Sequence, residues 1–335
     1  MLQIDQAEHG TLVVLGPQDR LLGVLADVDL RKDILRRGAM DAPVTQAMNT
    51  TPEVFAETFS ITAFIERSHS GRSQRRVLPC VDADGRLVGV MSLRSGAYDP
   101  VHDNLVVIMV GGKGMRLRPL TQDIPKPMLP IADKPLLEVI VRQLAVQGFH
   151  RFVFALHYKF EQIQAHFGDG SAFGVRIDYL LEQQPLGTAG AVGLLRETLE
   201  QPFFVTNGDL LTKADFRKIL DFHREEESDF TVGAVRYDIS VPYGVLLQED
   251  DHIKGIVEKP VYRHDVNAGI YLLNPELRQR IPKGQRTDMT DLMTTLLAEK
   301  KRLLTYPIIE YWLDIGRHPD LELARAEFDV HFGGE

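Results

Sequence analysis

Leu105-Val-Val-Ile-Met-Val110 runs directly into Gly111-Gly-Lys-Gly-Met-Arg-Leu-Arg-Pro-Leu-Thr121. An unbroken apolar run of this length suits a strand buried on both faces of a largely parallel sheet. Downstream, Pro135-Leu-Leu-Glu-Val-Ile-Val-Arg-Gln-Leu-Ala-Val-Gln147 carries apolar residues at helical spacing, with Pro135 early and Gly148 as a stop. Phe152-Val-Phe-Ala-Leu156 reads as the next strand. Strand, helix, strand in that order predicts an α/β layer with right-handed crossovers. Further strands are expected at Val175–Leu181, Phe203–Thr206, Phe230–Val235, Gly244–Leu247, Ile253–Val257 and Ala268–Leu273. Several have no helix between them, so part of the sheet is expected to be antiparallel.

The loop after the first strand has three glycines in four positions, which lets backbone N–H groups turn toward an anion. It lacks the Gly-Lys-Ser/Thr ending of a Walker A loop, and the third glycine of a dinucleotide fingerprint would fall on Leu117. Taken alone, the loop reads equally well as a tight structural turn. Its sequel is Ile124-Pro-Lys-Pro-Met-Leu-Pro-Ile131, where prolines on both sides of Lys126 fix the backbone and hold one cation in place.

On the N-terminal side the pattern changes at Tyr98-Asp-Pro-Val-His-Asp-Asn104, which marks a boundary between residues 1–99 and 104–335. Before it, Leu12–Leu25 and Leu78–Met91 repeat one another: apolar strand, polar turn, Arg, apolar strand. Each is a hairpin signature, and two such units must pack together to bury a core. After the first, Asp29 opens a helical pattern that Gly38 stops.

Length and an apolar fraction of 44% fit a globular protein of two domains, and a net charge of −9 offers no basic field to nucleic acid. The lone cysteine, Cys80, forms no internal disulfide, and no Cys/His spacing matches a zinc site. His150, His157 and His166 stand at spacings that make no metal motif and read as surface or structural residues. Met1–Glu8 has neither a basic region nor a long apolar run, and no stretch is long enough to span a bilayer. A cytoplasmic location without membrane attachment is expected.

Gly-Gly-x-Gly-x-Arg-Leu-x-Pro-Leu-Thr followed by Pro-Lys-Pro resembles the sugar-1-phosphate nucleotidyltransferase family. The likeness continues in order through Phe167–Ser171, Pro185–Ala191, Asn207-Gly-Asp209, Tyr243-Gly-Val245, Glu258-Lys-Pro260, Asn267–Tyr271 and Trp312–Gly316. It implies a Rossmann-like α/β domain with a mixed, mainly parallel sheet. The implied reaction joins a nucleoside triphosphate and a sugar 1-phosphate, with release of pyrophosphate and a need for Mg2+.

By motif position, the resemblance assigns the triphosphate to Gly111, Gly112, Gly114 and Arg116, and charge at the reacting phosphoryl group to Lys126. It gives the sugar phosphate to Lys259, the sugar to Tyr243, Gly244, Glu258, Asn267 and Gly269, and the nucleoside to Gly187 and Thr188. Asp209 and Asp314 become the metal carboxylates, although alone they would read as a turn aspartate and a helix cap. Glu182 falls near the base, where an ionised carboxylate can accept from guanine N1–H and N2–H₂, so GTP is favoured. Family members with a similar N-terminal pair point to bacterial surface-glycan or nonulosonic-acid precursors.

Two positions depart from the family pattern. Val110 stands where a small residue is usual, and Met115 where Thr or Ser precedes the arginine. They motivate the alternatives of a catalytically weak ligand sensor on a retained transferase fold, or a dTTP- or UTP-specific enzyme. The N-terminal repeat resembles a CBS-domain pair, partly truncated, which implies a small α/β unit that regulates or packs. It also implies an adenine nucleotide whose ribose would meet Asp29. Oligomeric state is left open, a homo-oligomer included.

Overall fold

The computed structural model describes residues 11–37, 43–56, 77–92, 101–196 and 198–333. The chain divides into two compact units, Met1–Asp99 and Pro100–Glu335.

The larger unit is built on a seven-stranded sheet. Its strands are β1 (Val106–Met109), β2 (Arg151–Leu156), β3 (Arg176–Leu181), β4 (Phe203–Asn207), β5 (Phe230–Ser240), β6 (Val261–Leu273) and β7 (Leu303–Ile308). They lie in the order β3-β2-β1-β4-β6-β5-β7. The run β3-β2-β1-β4 is parallel throughout. β6 is antiparallel to both neighbours, and β7 rejoins parallel to β5. The sheet is therefore mixed, as the missing crossover helices require.

Helices α1 (Leu136–Val146), α2 (Phe160–Phe167), α3 (Phe216–Glu225), α4 (Met289–Ala298) and α5 (His318–Phe332) accompany the sheet. α1 starts after Pro135 and buries Leu137, Ile140, Val141 and Leu144; Gly148, at φ +90°, ends the turn that follows it. α3 starts on Asp215, whose carboxylate accepts from the N–H groups of Arg217 and Lys218. The core joins Val107 of β1, Val153 of β2, Phe203 and Val205 of β4, and Phe230 of β5 to Leu292 and Leu296 of α4. Val106, Val107 and Ile108 of β1 are fully covered, which is why its sequence is continuously apolar.

β5 and β6 run well past the predicted Phe230–Val235 and Ala268–Leu273. Their outer halves are exposed and carry charged cross-strand partners, Arg236 with Asp265 at 2.9 Å and Arg263 with Asp238 at 3.7 Å. Opposite charges facing one another support a ladder without any apolar periodicity. A short hairpin, Val245–Glu249 with His252–Val257, is carried between these strands.

In the smaller unit both predicted hairpins form, Thr11–Leu15 with Leu21–Ala26 and Val77–Val81 with Leu87–Ser92. Their equivalent arginines, Arg20 and Arg86, make an antiparallel bridge, and Leu21 N–H donates to Gly85 O at 3.0 Å. A helix follows at Asp27–Arg37, while Gly38 lies outside the described residues. Among the described residues no helix is long and apolar enough to cross a membrane.

His223 of α3 is buried beneath the sheet. Its Nε2 faces Asn274 Oδ1 at 3.1 Å, an acceptor, so Nε2 carries the hydrogen and Nδ1 accepts from Thr231 Oγ1 at 2.8 Å. Burial holds this imidazole below its ordinary 6.5. The unfolded chain therefore takes up a proton first as pH falls, and stability drops from about pH 6.5 downward until the folded-state value is reached. His223→Gln is expected to flatten the dependence of Tm on pH between about 7.5 and 5.5, read by thermal melts. An unchanged slope would show that other groups set it.

Candidate active site

The parallel strands β1, β2, β3 and β4 end at one level, and a cleft outside such strand ends is where open α/β sheets gather ligands. Gly111 follows β1, His157 follows β2, Glu182 follows β3, and Asn207-Gly208-Asp209 closes β4.

The glycine-rich loop is laid directly on the Pro-Lys-Pro segment. Gly114 takes φ +60°, and a Cβ there would fall 2.9 Å from Thr121 Cγ2 and 3.1 Å from Lys126 Cβ. Thr121 Oγ1 donates to Gly114 O at 2.8 Å and seals the turn. Lys126 is 8% exposed, and its ammonium pairs with the carboxylate of Asp209.

Asp209 is tied in turn to the C-terminal part of the chain. Strand Leu210–Thr212 pairs antiparallel with Trp312–Asp314, which sets Leu210 opposite Asp314, and Ile315 N–H donates to Asp209 O at 3.0 Å. Partial desolvation and the negative charge of Asp209 push the Asp314 carboxyl up, against the pull of Lys126 and Arg116. A Cβ at Gly316 would lie 3.7 Å from both Arg116 Nη1 and Asp314 Oδ1. Lys126, Asp209, Asp314 and Arg116 thus share one corner, two cations against two carboxylates.

Among the described residues no group of three or more His, Cys, Asp and Glu side chains is placed to hold a metal. Two carboxylates side by side nonetheless suit Mg2+, which is commonly held by one or two of them and completed by water and substrate phosphate.

Glu182 is buried beside Gly111. One oxygen accepts from Leu186 N–H at 3.0 Å, and the other lies 3.7 Å from where a Gly111 Cβ would stand. Burial pushes its carboxyl up, offset by that N–H and by His157. His157 itself packs its Cβ on Gly111 and sets Nδ1 3.0 Å from Glu182 O. Its spacing from other histidines hides this placement. The one available signal is that it immediately follows a predicted buried strand.

Gly187 and Thr188 are engaged by the chain itself. Thr188 N–H donates to Asp288 Oδ1 at 3.0 Å, and its hydroxyl accepts from Met289 N–H at 2.8 Å, at the start of α4. Gly187 takes φ +80°, and a Cβ there would meet Asp288 Oδ1 at 2.5 Å.

The candidates for the sugar fall into two groups. Asn267 donates to Tyr271 Oη and accepts from Gly269 N–H, each at 2.9 Å, and Gly269 packs closely on Asn207 beside the acidic corner. Tyr243, Gly244, Glu258 and Lys259 are exposed at the base of the short hairpin, where Gly244 and Glu258 adjoin. Asp29 lies in the other unit, in the first turn of Asp27–Arg37, and its carboxylate accepts from Ala26 N–H at 3.0 Å.

Residues 105–329 match the model of the nucleotidyl transferase family. The chain belongs to that family. It is 36% identical over 235 residues to a mannose-1-phosphate guanylyltransferase of Mycobacterium tuberculosis, covering 68% of this chain and 65% of the relative. It is 34% identical over 221 residues to a mannose-1-phosphate guanylyltransferase catalytic subunit beta of Drosophila pseudoobscura pseudoobscura, covering 64% and 59%. The chain therefore spans somewhat under two thirds of the length of these curated relatives. Among solved structures it resembles HddC from Yersinia pseudotuberculosis, with 29% identity, a TM-score of 0.53, and coverage of 67% of this chain and 99% of that one. The same protein has been solved with GMP-PN.

Within this nucleotidyl transferase domain, the two departures from the family pattern occupy different surroundings. Met115 is largely exposed on the loop. Val110 is buried, its N–H donating to Ala155 O at 3.0 Å, and its side chain fills the space beside Gly208 where any Cβ would collide. Gly208→Ala is accordingly expected to cost about 1–3 kcal/mol by overpacking. Adding Val110→Ala should recover part of that loss in urea melts. Absence of recovery would place the strain elsewhere.

Proposed function

We propose that the chain transfers a nucleoside monophosphate from a triphosphate, GTP by preference, to the phosphate of a sugar 1-phosphate. One observation carries this reading: Arg116, Lys126, Asp209 and Asp314 meet at the strand ends of a nucleotidyl transferase domain. An oxygen of the sugar phosphate attacks the α-phosphorus, a new P–O bond forms, the bond to the β-phosphate oxygen breaks, and pyrophosphate leaves. Such a displacement asks for alignment and charge neutralisation more than for acid–base work.

The proposed roles follow from position. Backbone N–H groups of Gly111, Gly112 and Gly114, with the Arg116 guanidinium, hold the triphosphate, while Gly187 and Thr188 border the nucleoside. Lys126, fixed by its prolines and by Asp209, meets the charge that builds on the reacting phosphoryl oxygens. Asp209 and Asp314 would hold Mg2+, which supplies further neutralisation of phosphate charge. Lys259 takes the sugar phosphate. Tyr243, Gly244, Glu258, Asn267 and Gly269 line the sugar, for which mannose 1-phosphate is the first to test.

GTP is supported by the guanylyltransferase relatives and by acceptor capacity left on Glu182, one of whose oxygens is only partly used by Leu186 N–H. The smaller unit is proposed as a CBS-like regulatory pair with an adenine nucleotide near Asp29. Its two equivalent hairpins and the Arg20–Arg86 bridge support that reading. We place the protein in the cytoplasm.

Product analysis with equal concentrations of the triphosphates and a panel of sugar 1-phosphates tests the proposal. GDP-sugar and pyrophosphate should dominate, vanish on chelation and return with magnesium; a dTDP- or UDP-sugar as main product would refute the base assignment. Glu182→Gln keeps an oxygen for Leu186 N–H but presents a mixed edge, and should erode the preference for GTP by about one to two decades in kcat/KM. Lys126→Met should lower kcat by about two to three orders of magnitude. Turnover at the wild-type rate would remove Lys126 from the mechanism.

A further inference from the structure

The segment from Trp312 to Arg325 touches four places around the acidic corner: Ala268, Asp209, Arg118 and Pro130. Trp312 Nε1 donates to Ala268 O at 3.0 Å, within β6 where its pairing with β5 shifts register. Ile315 N–H holds Asp209 O, as described above. Helix α5 then reaches both phosphate-side loops. His318 Nε2 lies 2.9 Å from Arg118 O, at the far end of the glycine-rich loop. Arg325 donates through Nε and Nη2 to Pro130 O, each at 3.3 Å, just past Lys126.

Between these contacts sits Gly316, whose missing Cβ marks a point 3.7 Å from Arg116 Nη1, Asp314 Oδ1 and Asp320 Oδ2 alike. Asp320 is fixed there because its Oδ2 accepts Arg317 N–H at 2.8 Å and caps α5. Arg116 is therefore approached from one side by its own loop and from the other by the start of α5.

The glycine-rich loop is held at Gly114, by Thr121 and Lys126, while much of the rest reaches into solvent. Gly112, Lys113, Met115, Arg116 and Arg118 are exposed, and buried Leu117 is its main apolar hold. A loop that must be ordered when its ligand arrives lowers affinity by the entropy of that ordering, and a tether in place beforehand removes part of the cost. A carbonyl only accepts, so the Arg118 contact requires hydrogen on His318 Nε2.

We propose that His318 is a positioning residue for the nucleoside triphosphate: by holding Arg118 O from the start of α5, it orders the glycine-rich loop and sets Arg116 at the Asp314 corner before substrate binds. The inference rests on reading this corner as the triphosphate site. It reaches further by making the C-terminal helix a working part of that site.

His318 is exposed, so its replacement should leave the fold intact. His318→Ala is expected to raise the KM and the calorimetric Kd for the preferred triphosphate by about tenfold. The KM for sugar 1-phosphate should stay within about twofold, a split that general loosening of the domain would not give. His318→Gln, whose amide N–H can reach the same carbonyl, should recover most of the affinity. Weakened triphosphate binding with rescue by Gln supports the proposal even if no transfer is detected, in which case the transferase reading alone fails. Unchanged affinity, equal losses for both substrates, absence of rescue by Gln, or a wild-type chain that binds no triphosphate would overturn it.

Discussion

The contact between Lys126 and Asp209 is the constraint on which the catalytic end of the molecule depends. Its partners stand 83 positions apart in sequence, and the lysine side chain is only 10% exposed. A charge removed from water to that extent needs its counter-charge, and losing one partner would strand the other. For the two to meet, the turn after β4 must face the Pro-Lys-Pro segment. The parallel pairing of β1 with β4 provides that level, and the prolines stop Lys126 from wandering. Gly208 lets the turn close over Val110, and Gly114 lets the glycine-rich loop settle against Lys126.

The same contact organises the electrostatics. Two carboxylates at one corner repel, which is one reason the Asp314 carboxyl sits above its usual range, and Lys126 and Arg116 only partly offset that repulsion. A corner with two cations, Lys126 held by Asp209 and Arg116 exposed, and two carboxylates is suited to an incoming polyphosphate accompanied by a divalent ion.

Sequence alone made the inner half of this architecture readable, for reasons that are local. A strand buried on both faces has to be continuously apolar, so Leu105–Val110 and Phe152–Leu156 announce themselves. Glycine and proline mark tight turns through backbone geometry, so the loops around Lys126 and Asp209 are legible as well. The outer halves of β5 and β6 were not, because Arg236–Asp265 and its neighbour pair charges across strands where periodicity would be sought. Thr188 looks like a loop residue until Asp288, a hundred positions on, is brought to it. His157 and His318 have no local pattern either; their meaning comes from Glu182 and Arg118, which only the folded chain sets beside them.

Because Lys126 and Asp209 are read as one unit, the most direct test is a double-mutant cycle on pyrophosphate release with Lys126→Met, Asp209→Asn and the pair combined. If the two side chains act together, the combined variant should be scarcely slower than the worse single one, leaving a coupling of more than about 1 kcal/mol. Losses that simply add would contradict the account, since each residue would then act without the other.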